Sequence, residues 1–113
     1  MYSFDYHRLD NLAAARSLYA GAEDPMYLSG GMTLIPSMKQ RLAAPSDLID
    51  LSGLRELQGI ERIGSQDRAG IRVGALSRHN EVAADALVLS QLPVLAQVAS
   101  SIGDNQVRNR GTL

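Results

Sequence analysis

The sequence predicts an α/β (α+β) fold in which a βαβ-type unit is followed by a hairpin and further helices. Up to about Gly53, short apolar strand-like stretches alternate with helical periodicity, which is typical of βαβ units with parallel strands. Beyond that point, "GIERIG" and "GIRVGA" flank turn residues and predict a β-hairpin. Two stretches with helical periodicity follow, "SRHNEVAADAL" and "QLPVLAQVASSIG".

The first predicted strand is Ser3–Tyr6, and a helix follows it. The stretch "LDN", residues 9–11, indicates the helix start, because a side-chain oxygen there can accept from backbone N–H groups that lack helical partners. Gly21 is expected to end the helix in the left-handed conformation that glycine accepts. The residues whose spacing predicts the buried side of this helix are Leu12, Ala15, Leu18 and Tyr19.

The second predicted strand, Met26–Ser29, leads through two glycines into a second helix that Pro45 should end. The stretch "DLIDL", Asp47–Leu51, then predicts a third strand. The apolar residues expected on one side of the second helix are Leu34, Ile35, Met38 and Leu42.

In the second half, Pro93 lies where the first turn of the last helix should be, and Gly103 should end that helix. Arg108 and Arg110 are expected in a loop, where they either bond neighbouring carbonyl groups or contact a ligand. The change of character near Gly53 predicts two packed subdomains, residues 1–53 and 54–113. The expected buried stripe of the last helix is Leu92, Leu95, Val98, Ala99 and Ile102.

Composition narrows the classes of function. Apolar residues make up 45% and charged residues 20% of the chain, values close to those of an ordinary globular protein. The net charge of −1 without blocks of like charge argues against nucleic acid as a partner. The absence of cysteine excludes thiolate metal and iron–sulfur ligation within these residues. With a polar N-terminus and no apolar run of membrane-spanning length, a cytoplasmic protein is expected.

The junction "SGGMTL" carries the strongest chemical signal. A strand that ends at Ser29, a turn through Gly30-Gly31 and a helix from Leu34 have the layout of an anion site, in which backbone N–H groups converge on a phosphate. Thr33 is expected to cap the helix and could donate its hydroxyl to a phosphate oxygen. A Gly-Gly pair alone more often marks a plain strand-to-helix turn than a phosphate site. The third glycine of the dinucleotide-binding pattern is also missing.

Other side chains offer weaker candidates, and none is predicted to be catalytic or to bind a metal. His7 and His79 are far apart, lack carboxylates at ligand spacing, and are expected on the surface. Ser37 has no glycine elbow around it. Lys39 and Arg41 are expected on a solvated helix face, beyond the first turn where backbone amides point.

Several spaced stretches resemble one family in one register over nearly the whole chain. They are "SGGMTLIPSMKQRLAAPSDLIDLSGLRELQGI", "IRVGALSRHNEV" and "LPVLAQVASSIGDNQVRNRGTL". They resemble the N-terminal part of the FAD-binding (medium) subunit of molybdenum hydroxylases, of the carbon monoxide dehydrogenase medium chain and xanthine dehydrogenase type. The opening "FDYHRLDNLAAARSL" is also similar, although the family's proline near Arg8 is absent. The resemblance implies that residues 1–53 form a first FAD-binding subdomain and residues 54–113 the beginning of a second.

The resemblance also implies where FAD would bind. The family holds the FAD pyrophosphate with two glycine segments. The first has the form Ala-Gly-Gly, a variable residue, Ser or Asp, then Leu, and it corresponds to Ser29, Gly30, Gly31, Met32, Thr33 and Leu34. The second has the form Gly-Thr-Ile/Leu-Gly-Gly-Asn, and it corresponds, as far as the chain goes, to Gly111, Thr112 and Leu113.

In that family, electrons pass from a molybdenum cofactor on a large subunit, through [2Fe-2S] clusters on a small subunit, to FAD and an external acceptor. The resemblance therefore implies the N-terminal fragment of an FAD-binding oxidoreductase subunit. Because the family continues beyond Leu113, we expect a truncated chain that is inactive alone and binds FAD weakly or not at all. Two alternatives stay open: a non-catalytic interaction fragment of such a complex, and a related FAD-dependent oxidoreductase that acts directly on a small substrate.

Overall fold

The computed structural model describes residues 1–113, and its contacts divide the chain into two units, Met1–Arg55 and Glu56–Leu113. The division into two FAD-binding subdomains at residue 53 stays a prediction. The strands are β1 (Asp5–Arg8), β2 (Pro25–Leu28), β3 (Asp47–Asp50), β4 (Ile60–Ile63) and β5 (Gly70–Val73). The helices are α1 (Leu12–Gly21), α2 (Leu34–Lys39), α3 (His79–Ala84), α4 (Ala86–Gln91), α5 (Pro93–Ser101) and α6 (Asn105–Arg110), with short 3-10 turns at Arg55–Leu57 and Gln66–Arg68.

The first unit is a parallel sheet with connecting helices, as the alternating pattern predicted. Its three strands lie in the order β1-β3-β2, and β3 pairs in parallel with both neighbours. The central strand is the most buried of the three, with Ile49 fully buried and Leu48 4% exposed. Burial of apolar surface on this strand therefore supplies the core to which both edge strands attach.

Helix α1 begins where its cap residue predicts. The Asn11 side chain accepts a hydrogen bond of 2.8 Å from the backbone N–H of Ala14, which confirms the predicted start. The predicted left-handed ending at Gly21 is wrong, because Gly21 is the last helical residue and does not have a positive φ. Tyr19 is also not buried: it is 42% exposed and stacks on Tyr27 of β2 with 4.5 Å between ring centroids.

Other boundaries in the first unit differ because capping and strand pairing decide them. Strand β1 begins at Asp5, where its pairing with Asp47 begins, and not at Ser3. Helix α2 ends at Lys39, well before the position that Pro45 predicted. Arg41 takes a left-handed φ of 61°, and Leu42 N–H donates to the Ser37 carbonyl, so the chain leaves the helix in a Schellman turn. Leu42 is consequently 77% exposed instead of packed on the helix face.

The second unit combines the predicted hairpin with four helices. Strands β4 and β5 pair antiparallel, with Ile60 opposite Val73, which confirms the hairpin. The stretch predicted as one helix after the hairpin forms two, because the Asp85 carboxylate interrupts it and accepts from the N–H groups of Leu87 and Val88. The buried core of this unit consists of Val82, Val88, Ala96 and Ala99.

The last two helices also differ in part from prediction. The buried side of α5 is rotated from the expected stripe: Leu92 and Val98 are about half exposed, whereas Ala96 and Ala99 are buried. Gly103 has a φ of 53°, as expected for a helix-ending glycine. The stretch around Arg108 is helix α6 and not a loop, capped by Asp104. None of the helices has the length and apolar character that crossing a bilayer requires.

Candidate functional site

The first glycine segment, residues 29–34, lies directly after the carboxyl end of β2. Leu51 N–H donates to the Leu28 carbonyl over 2.9 Å, so the ends of β2 and the central strand are held together there. Ligands of parallel α/β sheets characteristically bind beyond the carboxyl ends of the strands. Met32 and Thr33 are exposed at this edge. The segment therefore has a position that a ligand can approach.

Gly31 is required by both its backbone conformation and its surroundings. Its φ is +78°, in the left-handed region that only glycine adopts without strain. A Cβ at this position would lie 2.7 Å from Ile35 Cδ1 and 3.2 Å from Leu28 Cδ1. The tight strand-to-helix turn, packed against these two side chains, thus explains this glycine.

Thr33 precedes α2 but does not cap it through its side chain. It occupies the N-cap position without a side-chain hydrogen bond to the helix, so the predicted capping role is wrong. Its carbonyl instead accepts from Ser37 Oγ at 2.9 Å, and Ile35 N–H donates to the Gly31 carbonyl at 3.1 Å. The predicted donation from the Thr33 hydroxyl to a phosphate stays a prediction.

The second glycine segment, Gly111–Leu113, leaves α6 and pairs with residues 77–79. His79 N–H donates to the Gly111 carbonyl, and Leu113 N–H donates to the Ser77 carbonyl, both over 3.0 Å. Arg78 and Thr112 lie opposite each other in this antiparallel bridge. The segment is therefore held in an extended conformation by a specific partner segment.

His79 is not the surface residue that the sequence predicted. Its ring lies against Gly111, and its Nδ1 atom is buried without a hydrogen-bond partner. No local pattern around His79 indicates this contact, because Gly111 is far along the chain. The only signal is its place in "IRVGALSRHNEV", one of the stretches that carry the family resemblance.

His7 is also half-buried, in a cluster of polar groups that join β1 to β3. Its Nε2 lies 2.8 Å from Asp47 Oδ1, while Ser46 Oγ donates to the other carboxylate oxygen. The hydrogen bond from Ser46, followed by that from His7, lowers the pKa of Asp47. Because the carboxylate separates the serine from the histidine, the cluster lacks the nucleophile–base contact of a hydrolytic site.

A second polar pair on these strands is Tyr6 and Asp50, whose hydroxyl and carboxylate are hydrogen-bonded. Burial raises the pKa of Asp50, but hydrogen bonds from Tyr6 and from a backbone N–H outweigh it, and the net pKa is lowered. The same bond raises the pKa of Tyr6. Both clusters therefore connect the edge strand β1 to the centre of the sheet.

The second unit contains a cavity of about 540 Å³ whose walls include Arg78, Glu81 and Asp85. Glu81 accepts from the backbone N–H of Arg78 at 2.7 Å, and Asp85 caps α4. The two carboxylates therefore serve helix starts. No group of three or more potential metal-binding side chains is present in the structure.

Comparisons with known proteins agree on one family. The family model described as "FAD binding domain in molybdopterin dehydrogenase" matches residues 2–113. The carbon monoxide dehydrogenase medium chain of Hydrogenophaga pseudoflava is 39% identical over 111 residues, which cover 97% of this chain and 37% of the relative. The glyceraldehyde dehydrogenase medium chain of Sulfolobus acidocaldarius is 33% identical over 97% of this chain and 38% of the relative.

The fold comparison points the same way. The crystal structure of quinoline 2-oxidoreductase from Pseudomonas putida 86 matches with a TM-score of 0.87 and 32% identity, covering 97% of this chain and 37% of the matched chain. The present chain therefore spans a little over a third of the length of the proteins it resembles.

Proposed function

This chain belongs to the family of FAD-binding domains of molybdopterin dehydrogenases, and from that membership we propose that it is the N-terminal part of the FAD-binding subunit of a molybdenum hydroxylase. The observation that carries the proposal is the family match over residues 2–113, which includes both glycine segments. When bound, FAD would supply the redox chemistry, taking electrons from iron–sulfur clusters and giving them to an external acceptor. The residues of this chain would bind and orient it.

Two segments would hold the FAD pyrophosphate in this proposal. In the first, Gly30 to Thr33 would offer backbone N–H groups, and the positive φ of Gly31 shapes the turn that would present them. Helix α2 has only six residues, so the amides of the turn would contribute more attraction than a long helix dipole. In the second, Thr112 would contribute its backbone and hydroxyl. The flanking Ser29, Met32, Leu34, Gly111 and Leu113 complete the proposed set.

The partners follow from the same family. Two of the relatives are named medium chains, and these names support a complex of several chains. We propose a large subunit with the molybdenum cofactor and a small subunit with [2Fe-2S] clusters. The 113 residues contain no cysteine, so the cluster ligands would come from outside them. A cytoplasmic location belongs to the same proposal, and fractionation of the native complex tests it.

The test of FAD binding uses a matched pair of variants at Met32, an exposed residue in the middle of the first segment. Met32→Glu introduces a negative charge beside the proposed pyrophosphate site, while Met32→Gln keeps the size without the charge. Two like charges about 4 Å apart repel each other by roughly 1 kcal/mol in bulk water and roughly 4 kcal/mol near a protein surface. We expect FAD affinity to be about tenfold lower for Met32→Glu than for Met32→Gln, with a smaller difference at high salt.

The titration has two samples: the 113-residue chain, and a fusion in which the rest of the Hydrogenophaga medium chain follows Leu113. Backbone amide NMR shifts detect even weak binding in the short chain, and calorimetry measures the fusion. We expect FAD to shift the amides of residues 30–33 and 112, and to bind the fusion more tightly. The proposal is wrong if FAD binds neither sample, or if Met32→Glu and Met32→Gln bind it equally.

A further inference from the structure

Residues 77–79 form a partner strand for the second glycine segment, and the proposed function gives them no role. The hydrogen bonds from His79 N–H to Gly111 and from Leu113 N–H to Ser77 enclose the pair Arg78 and Thr112. In an antiparallel bridge of this pattern, the N–H and C=O groups of the enclosed residue itself point away from the partner segment. The pairing thus decides that Thr112 directs its N–H to the opposite side.

The need for glycine at position 111 comes from the His79 ring and a neighbouring carbonyl, not from the backbone conformation. Gly111 has φ −61° and ψ 137°, which any residue adopts. A Cβ there would lie 3.1 Å from His79 Cδ2 and 3.0 Å from the Val107 carbonyl oxygen, both tighter than usual contacts. The imidazole therefore occupies the space beside Gly111 and limits how the segment can move.

The His79 ring is held by packing. Its Nδ1 is buried without a hydrogen-bond partner, an arrangement that costs free energy. Its backbone N–H is already bonded to the Gly111 carbonyl. One residue therefore contacts the glycine segment in two ways, through its main chain and through the edge of its ring.

We propose that His79 is a positioning residue for FAD: it holds Gly111–Leu113 extended so that Thr112 faces the pyrophosphate. This inference rests on the proposed function, and it adds a residue that itself contacts no cofactor. Its ring fills the space beside Gly111, while its main chain fixes the segment at one end of the bridge. Removal of the ring should loosen the segment locally and weaken FAD binding through that loosening.

The first experiment measures amide hydrogen exchange in the 113-residue chain without FAD. In His79→Ala, we expect the Leu113 amide to exchange about tenfold faster, because local opening of the bridge becomes easier. The Val82 amide, bonded to the Arg78 carbonyl within α3, should change much less. His79→Asn keeps a planar group with an atom near the Cδ2 position, and should restore most of the protection.

The matched control is Asn80→Ala. Asn80 follows His79 in α3, and its side chain donates to the side chains of Asn105 and Asn109 on α6. A residue that only joins the two helices should affect the stability of the whole unit and not the Leu113 amide in particular. If Asn80→Ala and His79→Ala raise Leu113 exchange equally, His79 has a general structural role and the inference is wrong.

The second experiment measures FAD affinity of the fusion by calorimetry. We expect His79→Ala to weaken binding about tenfold and His79→Asn to remain within about threefold of the parent. Equal affinity of His79→Ala and the parent would overturn the inference while leaving the proposed function intact. Absence of FAD binding in every sample would instead overturn the proposed function. If His79→Ala does not fold, His79→Val takes its place, because it fills the space next to the main chain but lacks the Cδ2 atom that lies against Gly111. We expect His79→Val to speed up Leu113 exchange and weaken FAD binding more than Asn80→Ala does, and equal effects of these two variants would overturn the inference.

Discussion

Replacement of Gly31 by alanine should destabilise the first unit, Met1–Arg55, for two separable reasons. The first is the φ of +78°, which an alanine would have to adopt against its own steric preference. The second is contact, since the new Cβ would lie 2.7 Å from Ile35 Cδ1. That atom is the end of a side chain, so Ile35 can rotate away at a cost in rotamer energy.

The expected loss follows from these terms. The left-handed conformation costs about 1–2 kcal/mol for a residue with a Cβ. Displacement of Ile35 adds roughly 0.5–1.5 kcal/mol. The smaller conformational freedom of alanine in the unfolded chain returns about 0.4–1 kcal/mol. The free energy of unfolding should therefore fall by about 2 kcal/mol, a large part of the stability of a small unit.

Tyrosine fluorescence follows this unit selectively during urea unfolding. The chain has four tyrosines and no tryptophan, and all the tyrosines lie in the first unit. Gly21→Ala is the matched control, because a Cβ at Gly21 has no atom within 4 Å and its φ is not positive. We expect that control to be neutral or slightly stabilising. In an Ile35→Val background, which lacks the Cδ1 atom, Gly31→Ala should keep the φ cost and lose the shortest contact, while the contact with Leu28 Cδ1 remains.

An unchanged unfolding midpoint in Gly31→Ala would refute the reasoning about the left-handed turn. So would an equal loss of stability in Gly21→Ala. If the Ile35→Val background removed the whole effect, contact alone would explain the glycine and the backbone argument would fail.

Two further predictions concern polar contacts. The folded-state pKa of Asp47 lies below the ordinary value of 3.8, so its hydrogen bonds with Ser46 and His7 stabilise the first unit above that pH. This stabilisation is lost as the pH falls below that value and the carboxylate is protonated. Between about pH 6 and pH 3, the urea midpoint should therefore decline less steeply in Asp47→Asn than in the parent. Arg108 Nη1 donates to the two carbonyls that follow α5, each over 3.1 Å. Arg108→Ala should lower the free energy of unfolding of the second unit by about 1 kcal/mol, measured by circular dichroism. The control is Arg110→Ala at an exposed position, whose free energy of unfolding should stay within about 0.5 kcal/mol of that of the parent.

The course of the chain could be predicted where a signal lies within a few residues. The Asn11 cap acts three residues away, and the hairpin follows from two strand-like stretches around turn residues. Alternation of strands and helices likewise predicted the parallel sheet. The ends of elements were predicted less well. The Schellman turn that ends α2 has Arg41 at the left-handed position, where the sequence signal would have been a glycine.

The residues of the candidate site also differ in how well the sequence predicted them. Gly30 and Gly31 stand out in the sequence because two glycines between a strand and a helix are a local feature. The chemistry left a plain turn or a phosphate site open, and the family resemblance favoured the second. His79 was placed wrongly, since its ring lies against Gly111, at the end of a helix that is distant in sequence. Arg108 was placed in a loop, although its bonding to neighbouring carbonyls was one of the two roles expected.

By itself, then, the sequence determined the order of strands and helices in the first unit, the hairpin and the family, because these depend on periodicity, on turn residues and on motifs in register. Only the tertiary structure decided which helix faces are buried, how α2 ends and which residue supports the second glycine segment. The physical reason is range. Caps and periodic patterns act over a few residues, whereas the contact of His79 with Gly111 exists only after α3 and α6 have packed together.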